Sequence, residues 1–110
     1  MNYEVEQEPA PAEAMAEKAE GVAGFLKGLA NPHRLLILCA LSGGERSVGD
    51  LITETSIAQT SMSQHLAKLK AEGIVDFRRE HRTLRYFIAH PAVMELMAVL
   101  YVHFCGSKQP

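Results

Sequence analysis

Cysteine is scarce in this chain: Cys39 and Cys105 are its only two, and they stand far apart. A distant pair of cytosolic thiols is less often a structural disulfide than a redox or metal device, and a free cysteine also packs as a small hydrophobe in a core. The Cys-x-x-Cys pattern is missing, and no acid–base partner stands at fixed spacing beside either cysteine, which argues against a thiol–disulfide enzyme. No catalytic residue is expected. A long uncharged apolar run is missing too, so no transmembrane helix is expected. The first residues are acidic and have no apolar core of a secretory signal, which points to the cytoplasm. Internal repeats and low-complexity segments do not occur. Nor is there a basic excess, for the formal net charge is −2.

What is there is a 47% apolar composition over 110 residues, which suits one small folded domain. A domain this small buries a modest fraction of its surface, so self-association would help its core. The near-neutral charge hides a division. Residues 1–20 carry Glu4, Glu6, Glu8, Glu13, Glu17 and Glu20 against Lys18, or −5. Residues 58–90 carry Lys68, Lys70, Arg78, Arg79, Arg82 and Arg85 against Glu72, Asp76 and Glu80, or +3. Charges at an exposed surface are screened within roughly 10 Å, so local charge decides whether phosphates are attracted.

The basic half is organised around residues 57–87. Met62, Leu66 and Leu69 recur at helical spacing and form one apolar stripe. Gln59, Thr60, Ser61, Ser63, Gln64, His65 and Lys68 fall outside it. Short polar side chains at the start of a helix, with a cation further along, suit reading base edges and holding phosphates. Gly73 stops the helix. Residues 74–79 then read as a strand and 84–88 as its partner, with Glu80 to Thr83 as a turn longer than two residues, since Asn-Gly and Asp-Gly are absent. Arg78, Arg79, Arg82 and Arg85 crowd this hairpin, and His81 sits at its tip. A helix followed by a basic hairpin predicts a winged helix-turn-helix on double-stranded DNA. Gln59, Thr60, Ser61, Ser63 and Gln64 are the candidates for base or phosphate contacts, with His65 facing either a phosphate or its own scaffold. Lys68, Arg78, Arg79, Arg82 and Arg85 are the candidates for phosphates or the minor groove.

Before this module, residues 1–11 read as a disordered acidic tail. A helix is expected from Ala12 to Ala30, weakened by Gly21, Gly24 and Gly28. Asn31-Pro32 reads as an N-cap followed by proline in the first turn. The helix it starts is apolar nearly all round, from Leu35 to Leu41, and is expected to be deeply buried. Gly43-Gly44 ends it. Ser47 to Asp50 reads as a capping box for a short helix carrying Leu51 and Ile52. Pro91 starts a last helix whose apolar face, from Val93 to Phe104, predicts a contact between subunits made with the first helix; Gly106 caps it. The domain is thus 12–106, with a polar tail at 107–110.

The run Asn31-Pro32-His33-Arg34-Leu35-Leu36-Ile37-Leu38, the Ser-Val-Gly-Asp-Leu of 47–51, Ser63-Gln64-His65-Leu66 and Gly73-Ile74-Val75 together resemble the ArsR/SmtB family over roughly residues 15–105. The resemblance implies a homodimeric winged-helix repressor that leaves its operator when an inducer binds. It implies a mainly α fold with a two-stranded β-wing, about five helices, and a dimer made by the first and last of them. One departure is Ala58, where the family usually has a capping serine or threonine, a loss that costs about 1 kcal/mol unless Ser56 caps instead.

The family's metal sites do not carry over. Ser47 and Gly49 stand where one site has cysteines, and neither is a soft ligand. Along the last helix only His90, Glu95 and His103 remain of another, without the intervening partners that zinc needs. No metal ligand and no cofactor is therefore expected, and His33, His81 and the other histidines have ordinary roles. The placement of Cys39 and Cys105 instead is similar to the sulfide- and redox-sensing branch of that family. This implies reactive sulfur species, persulfides above all, as inducer, with the two thiols joined by a disulfide or a longer polysulfide bridge. A direct disulfide needs Cα atoms within about 7 Å, and each added sulfur relaxes that demand. The alternatives are a metal- or metalloid-responsive repressor, or a winged-helix regulator whose cysteines sense nothing.

Overall fold

The computed structural model describes residues 10–106. The tails expected at 1–11 and 107–110 lie outside it, apart from Ala10 and Pro11. The chain divides into an N-terminal helical unit that ends at Ala30 and a winged unit that begins at Asn31.

The N-terminal unit holds α1 (Pro11–Ala16) and α2 (Ala19–Leu29) where one helix was expected. The break falls at Glu17-Lys18 and not at a glycine. Lys18 N–H turns back to the Met15 carbonyl at 2.8 Å, an i→i−3 bond that tightens the turn before the helix restarts. Gly21 and Gly24 lie inside α2 with nothing within 4 Å of where a Cβ would stand. Met15, Val22 and Leu26 are exposed.

The winged unit runs α3 (Pro32–Leu41), β1 (Arg46–Ser47), α4 (Val48–Thr55), α5 (Gln59–Ala71), β2 (Val75–Glu80), β3 (Thr83–Ile88) and α6 (Pro91–Phe104). The start and stop signals act as their chemistry demands. Asn31 Oδ1 accepts the Arg34 N–H and Pro32 occupies the first turn of α3. Ser47 and Asp50 close a reciprocal capping box on α4, at 3.0 and 3.1 Å. Gly44 and Gly73 take φ of +137° and +78° where α3 and α5 must turn away, a region that side chains with a Cβ avoid. Cys105, not Gly106, is the C-cap of α6, its N–H reaching the Tyr101 carbonyl.

β2 and β3 form the expected two-stranded wing, and the sheet they belong to is larger by one strand. It has three antiparallel strands in the order β1-β3-β2, because Arg46 and Ser47 pair with Tyr86 and Arg85. A two-residue strand carries no alternation to read. The wing turn is also shorter than expected: Glu80 pairs with Thr83, which leaves only His81 and Arg82 as the loop. His81 supplies the positive φ, +59°, that a two-residue hairpin normally draws from glycine or asparagine.

The core of this unit is the stripe read from α5, Met62, Leu66 and Leu69, packed with Ile37, Leu38 and Leu41 of α3, Leu51 of α4, Ile74 and Val75, and Val93 and Met97 of α6. Here α3 departs from expectation. Only its Ile37–Leu38–Leu41 side is buried, while Leu35, Leu36 and Cys39 are exposed.

Candidate nucleic-acid interface and thiol groove

α5 presents Gln59, Thr60, Ser63, Gln64 and Lys68 to solvent, with Ser61 half-buried. Its N-terminus has Ala58 as N-cap with no side-chain bond, so the first-turn amides keep their donors. Ser56 does not take over, because it sits in the left-handed region at the end of α4, with φ +62°. The far end of α5 is joined to the wing through Lys70, which pairs with Asp76 at 3.5 Å and lies 5.2 Å from the Phe77 ring centroid. Phe77 stacks edge-on against Tyr86, its cross-strand neighbour.

The four wing arginines divide into two pairs. Arg79 and Arg82 are exposed and make no ion pair among the described residues. Arg78 and Arg85 stand directly opposite each other across β2 and β3, and carboxylates gather round them. Arg78 Nε donates to Glu45 Oε1 at 2.9 Å. Arg85 has Glu45, Glu80 and Asp50 within 4 Å, yet its buried Nε has no hydrogen-bond partner, so its neighbours hold it by charge alone. The Arg78 hydrogen bond holds the Glu45 carboxyl below its ordinary value.

His65 faces the scaffold. Its Nδ1 accepts from Arg34 Nε at 3.3 Å, and its ring meets the His33 ring edge-on at 5.4 Å. Burial first, then the neighbouring Arg34, His33 and Lys68, holds its pKa below the ordinary 6.5, which keeps Nδ1 an acceptor. This bond ties α5 to α3. Nothing local announced it, because Arg34 and His65 come together only in the folded unit.

Cys39 and Cys105 are free thiols, both exposed, and not core residues. They line one groove of about 530 Å³ together with Pro32, Leu35, Leu36, Met97, Leu100, Tyr101 and Phe104. One thiol comes from the last turn of α3 and the other from the end of α6, and the walls are almost wholly apolar. His90 and His103 have separate fates: His90 Nδ1 caps α6 by accepting the Ala92 N–H, and His103 is exposed. Among the described residues no three of His, Cys, Asp and Glu come together as a metal-binding group, and no helix is long and apolar enough to cross a membrane.

A helix with a polar outward face, a three-stranded sheet ending in a basic hairpin, and a helix pair before them define a winged helix-turn-helix. The model of the bacterial regulatory protein arsR family matches residues 31–76. A biofilm growth-associated repressor of Agrobacterium fabrum is 41% identical over 99 residues, which cover 90% of this chain and 85% of that protein. The transcriptional repressor BigR of Xylella fastidiosa has a crystal structure that superposes with TM-score 0.81 at 37% identity, covering 88% of this chain and 99% of that one. A homodimeric winged helix-turn-helix DNA-binding domain from Mycobacterium bovis superposes with TM-score 0.70 at 37% identity, covering 86% of each chain. The chain belongs to the ArsR family of bacterial regulatory proteins.

Proposed function

We propose that the protein is a cytoplasmic, homodimeric operator-binding repressor whose Cys39 and Cys105 sense hydropersulfides. The observation that carries the sensing half is the groove the two thiols share. The chemistry closes without an outside oxidant. A thiolate of the pair attacks the terminal sulfur of a donor R–S–SH; the S–S bond breaks, and the donor leaves as a thiol. The resulting Cys–S–SH is attacked at its carbon-bound sulfur by the other thiolate, which forms a disulfide and expels HS⁻. If both cysteines first take up a sulfur, the outer sulfur of one persulfide attacks the carbon-bound sulfur of the other. That step forms a trisulfide and again expels HS⁻. Apolar walls suit sulfur more than charged oxidants.

The link to DNA runs through α3. That helix carries Cys39 in its last turn and, near its start, Arg34, which is bonded to His65 on the reading helix. A bridge from Cys39 to the end of α6 constrains α3, and α5 moves with it. In a dimer the two reading helices must meet half-sites about 34 Å apart, so a small tilt of each is enough to lower operator affinity. Gln59, Thr60, Ser61, Ser63 and Gln64 would face the bases, with Lys68, Arg79 and Arg82 on phosphates. Dimerisation through the first and last helices would cover Tyr101, Val102 and Phe104, which are exposed in the single chain.

An operator recovered by selection from random duplexes allows the test. Treatment with a hydropersulfide donor should join Cys39 to Cys105 in intact-mass spectra and release the DNA, and Cys39→Ser and Cys105→Ser should each stay bound. DNA release while both thiols remain free would overturn the reading.

A further inference from the structure

Cys39 lies on the wall between two cavities of different chemistry. The apolar groove holds it together with Cys105. A second cleft of about 440 Å³ holds Cys39 without Cys105, and brings in Gly43, Arg46 and Glu54. The Arg46 guanidinium is fixed there: Nε donates to Glu54 Oε2 at 2.8 Å, and Nη1 donates to the Glu45 carbonyl at 3.0 Å. Its Nη2 lies against Gly43, where a Cβ would come within 3.1 Å, so the bare Gly43-Gly44 turn makes room for it. Among the described residues, neither Arg46 Nη2 nor Glu54 Oε1 makes a hydrogen bond. Arg46 and Glu54, paired with each other on the wall of the cleft, thus keep one cationic donor and one anionic acceptor unused, in the same cleft as an exposed thiol.

We infer that this cleft docks the sulfur donor, that it selects hydropersulfides of α-amino-acid thiols, and that Cys39 is the first thiol to receive sulfur. The inference rests on the sensing reading above and specifies its substrate and its order. An Arg–Glu pair is neutral overall, so a simple anion gains from Arg46 what it loses to Glu54. A zwitterion gains from both, its carboxylate on Arg46 Nη2 and its ammonium on Glu54 Oε1. Seated so, the donor presents its S–SH to Cys39. The Cys39 thiolate bonds to the terminal sulfur, the donor's S–S bond breaks, and the amino-acid thiolate leaves and takes up a proton. Cys39–S–SH then faces the apolar groove, where the Cys105 thiolate bonds to its carbon-bound sulfur and expels HS⁻.

Quenched-flow mass spectrometry tests this on the full chain with two donors, cysteine hydropersulfide and propyl hydropersulfide, the latter bearing neither ammonium nor carboxylate. In a Cys105→Ser background Cys39 should gain one sulfur atom, faster from the cysteine donor. Arg46→Met should slow that transfer about tenfold, as expected on losing a charge-assisted hydrogen bond, and leave the propyl donor's rate unchanged. Glu54→Gln should act in the same direction. Equal slowing of both donors, or no slowing of either, overturns the inference, as does first modification at Cys105 in the intact dithiol. If Arg46→Met fails to unfold cooperatively by circular dichroism, Glu54→Gln alone decides. Wild-type protein that bridges equally fast with both donors overturns the cleft and leaves sensing intact. Wild-type protein that bridges with neither overturns the sensing reading itself.

Discussion

Arg78 and Arg85 face each other across the wing, and like charges directly opposite on a sheet repel. Glu45, placed between them, turns that repulsion into a linkage between the wing and the turn before β1. The cost is that these two guanidinium groups are already engaged, so in the proposed operator complex phosphate binding would fall more on Arg79 and Arg82. His65 is the other residue whose neighbours decide its role. Its folded pKa is depressed, so the unfolded chain binds more protons just below the ordinary 6.5. The Arg34–His65 contact therefore contributes stability above that value and loses it as pH falls through the depressed one. In urea unfolding, His65→Asn, whose Oδ1 accepts at every pH, should flatten the loss of stability seen as pH falls below the ordinary 6.5. An unchanged slope would show that His65 does not titrate in this linkage. By the same sign rule, Glu45, held low by Arg78, contributes stability above its ordinary value that is lost in acid. Glu45→Gln should remove part of the acid sensitivity of unfolding below about pH 4.5.

At the level of elements, α5 starts without a side-chain cap at Ala58, whose backbone is already extended with φ −62° and ψ 152°. Ala58→Ser should raise the free energy of unfolding by about 1 kcal/mol, measured in denaturant. At its other end Gly73 holds φ +78° in open space, so Gly73→Ala meets no clash and costs about 1 kcal/mol from backbone strain alone. The reading helix and the wing should separate in binding assays. Arg82→Ala should weaken binding to every duplex alike and lower the salt slope by about 0.9, Arg78→Ala should do so less, and Gln64→Ala should also relax sequence preference. Competition with scrambled operators gives the readout. Much of this element was legible beforehand: the Met62–Leu66–Leu69 stripe, the Gly73 stop and the arginine hairpin all show as spacing. The two-residue wing turn was not, because His81 adopts a conformation that residue type alone does not announce.

For the molecule as a whole, the single chain leaves Val99, Val102 and Phe104 exposed at 53%, 60% and 79% along α6. Such a stripe is an association surface in a small domain. Phe104→Asp should shift the protein toward monomer in sedimentation experiments and reduce operator binding by well over tenfold, since a half-site alone gives up one partner's contacts. A variant that stays dimeric would place the interface elsewhere.

Periodicity, caps and charge spacing by themselves determined the winged helix, the polar outward face of α5 and the basic hairpin, because those signals act between residues a few positions apart. Tertiary structure alone decided which cations remain available, since Glu45, in the turn before β1, and Asp50, at the start of α4, reach the wing from a distant part of the chain. It also decided what surrounds the sulfurs: Cys39 and Cys105 share an apolar groove, and Arg46 and Glu54 flank Cys39 on its other side. Those neighbours come from segments far apart in the chain, and only packing sets what stands beside a thiol.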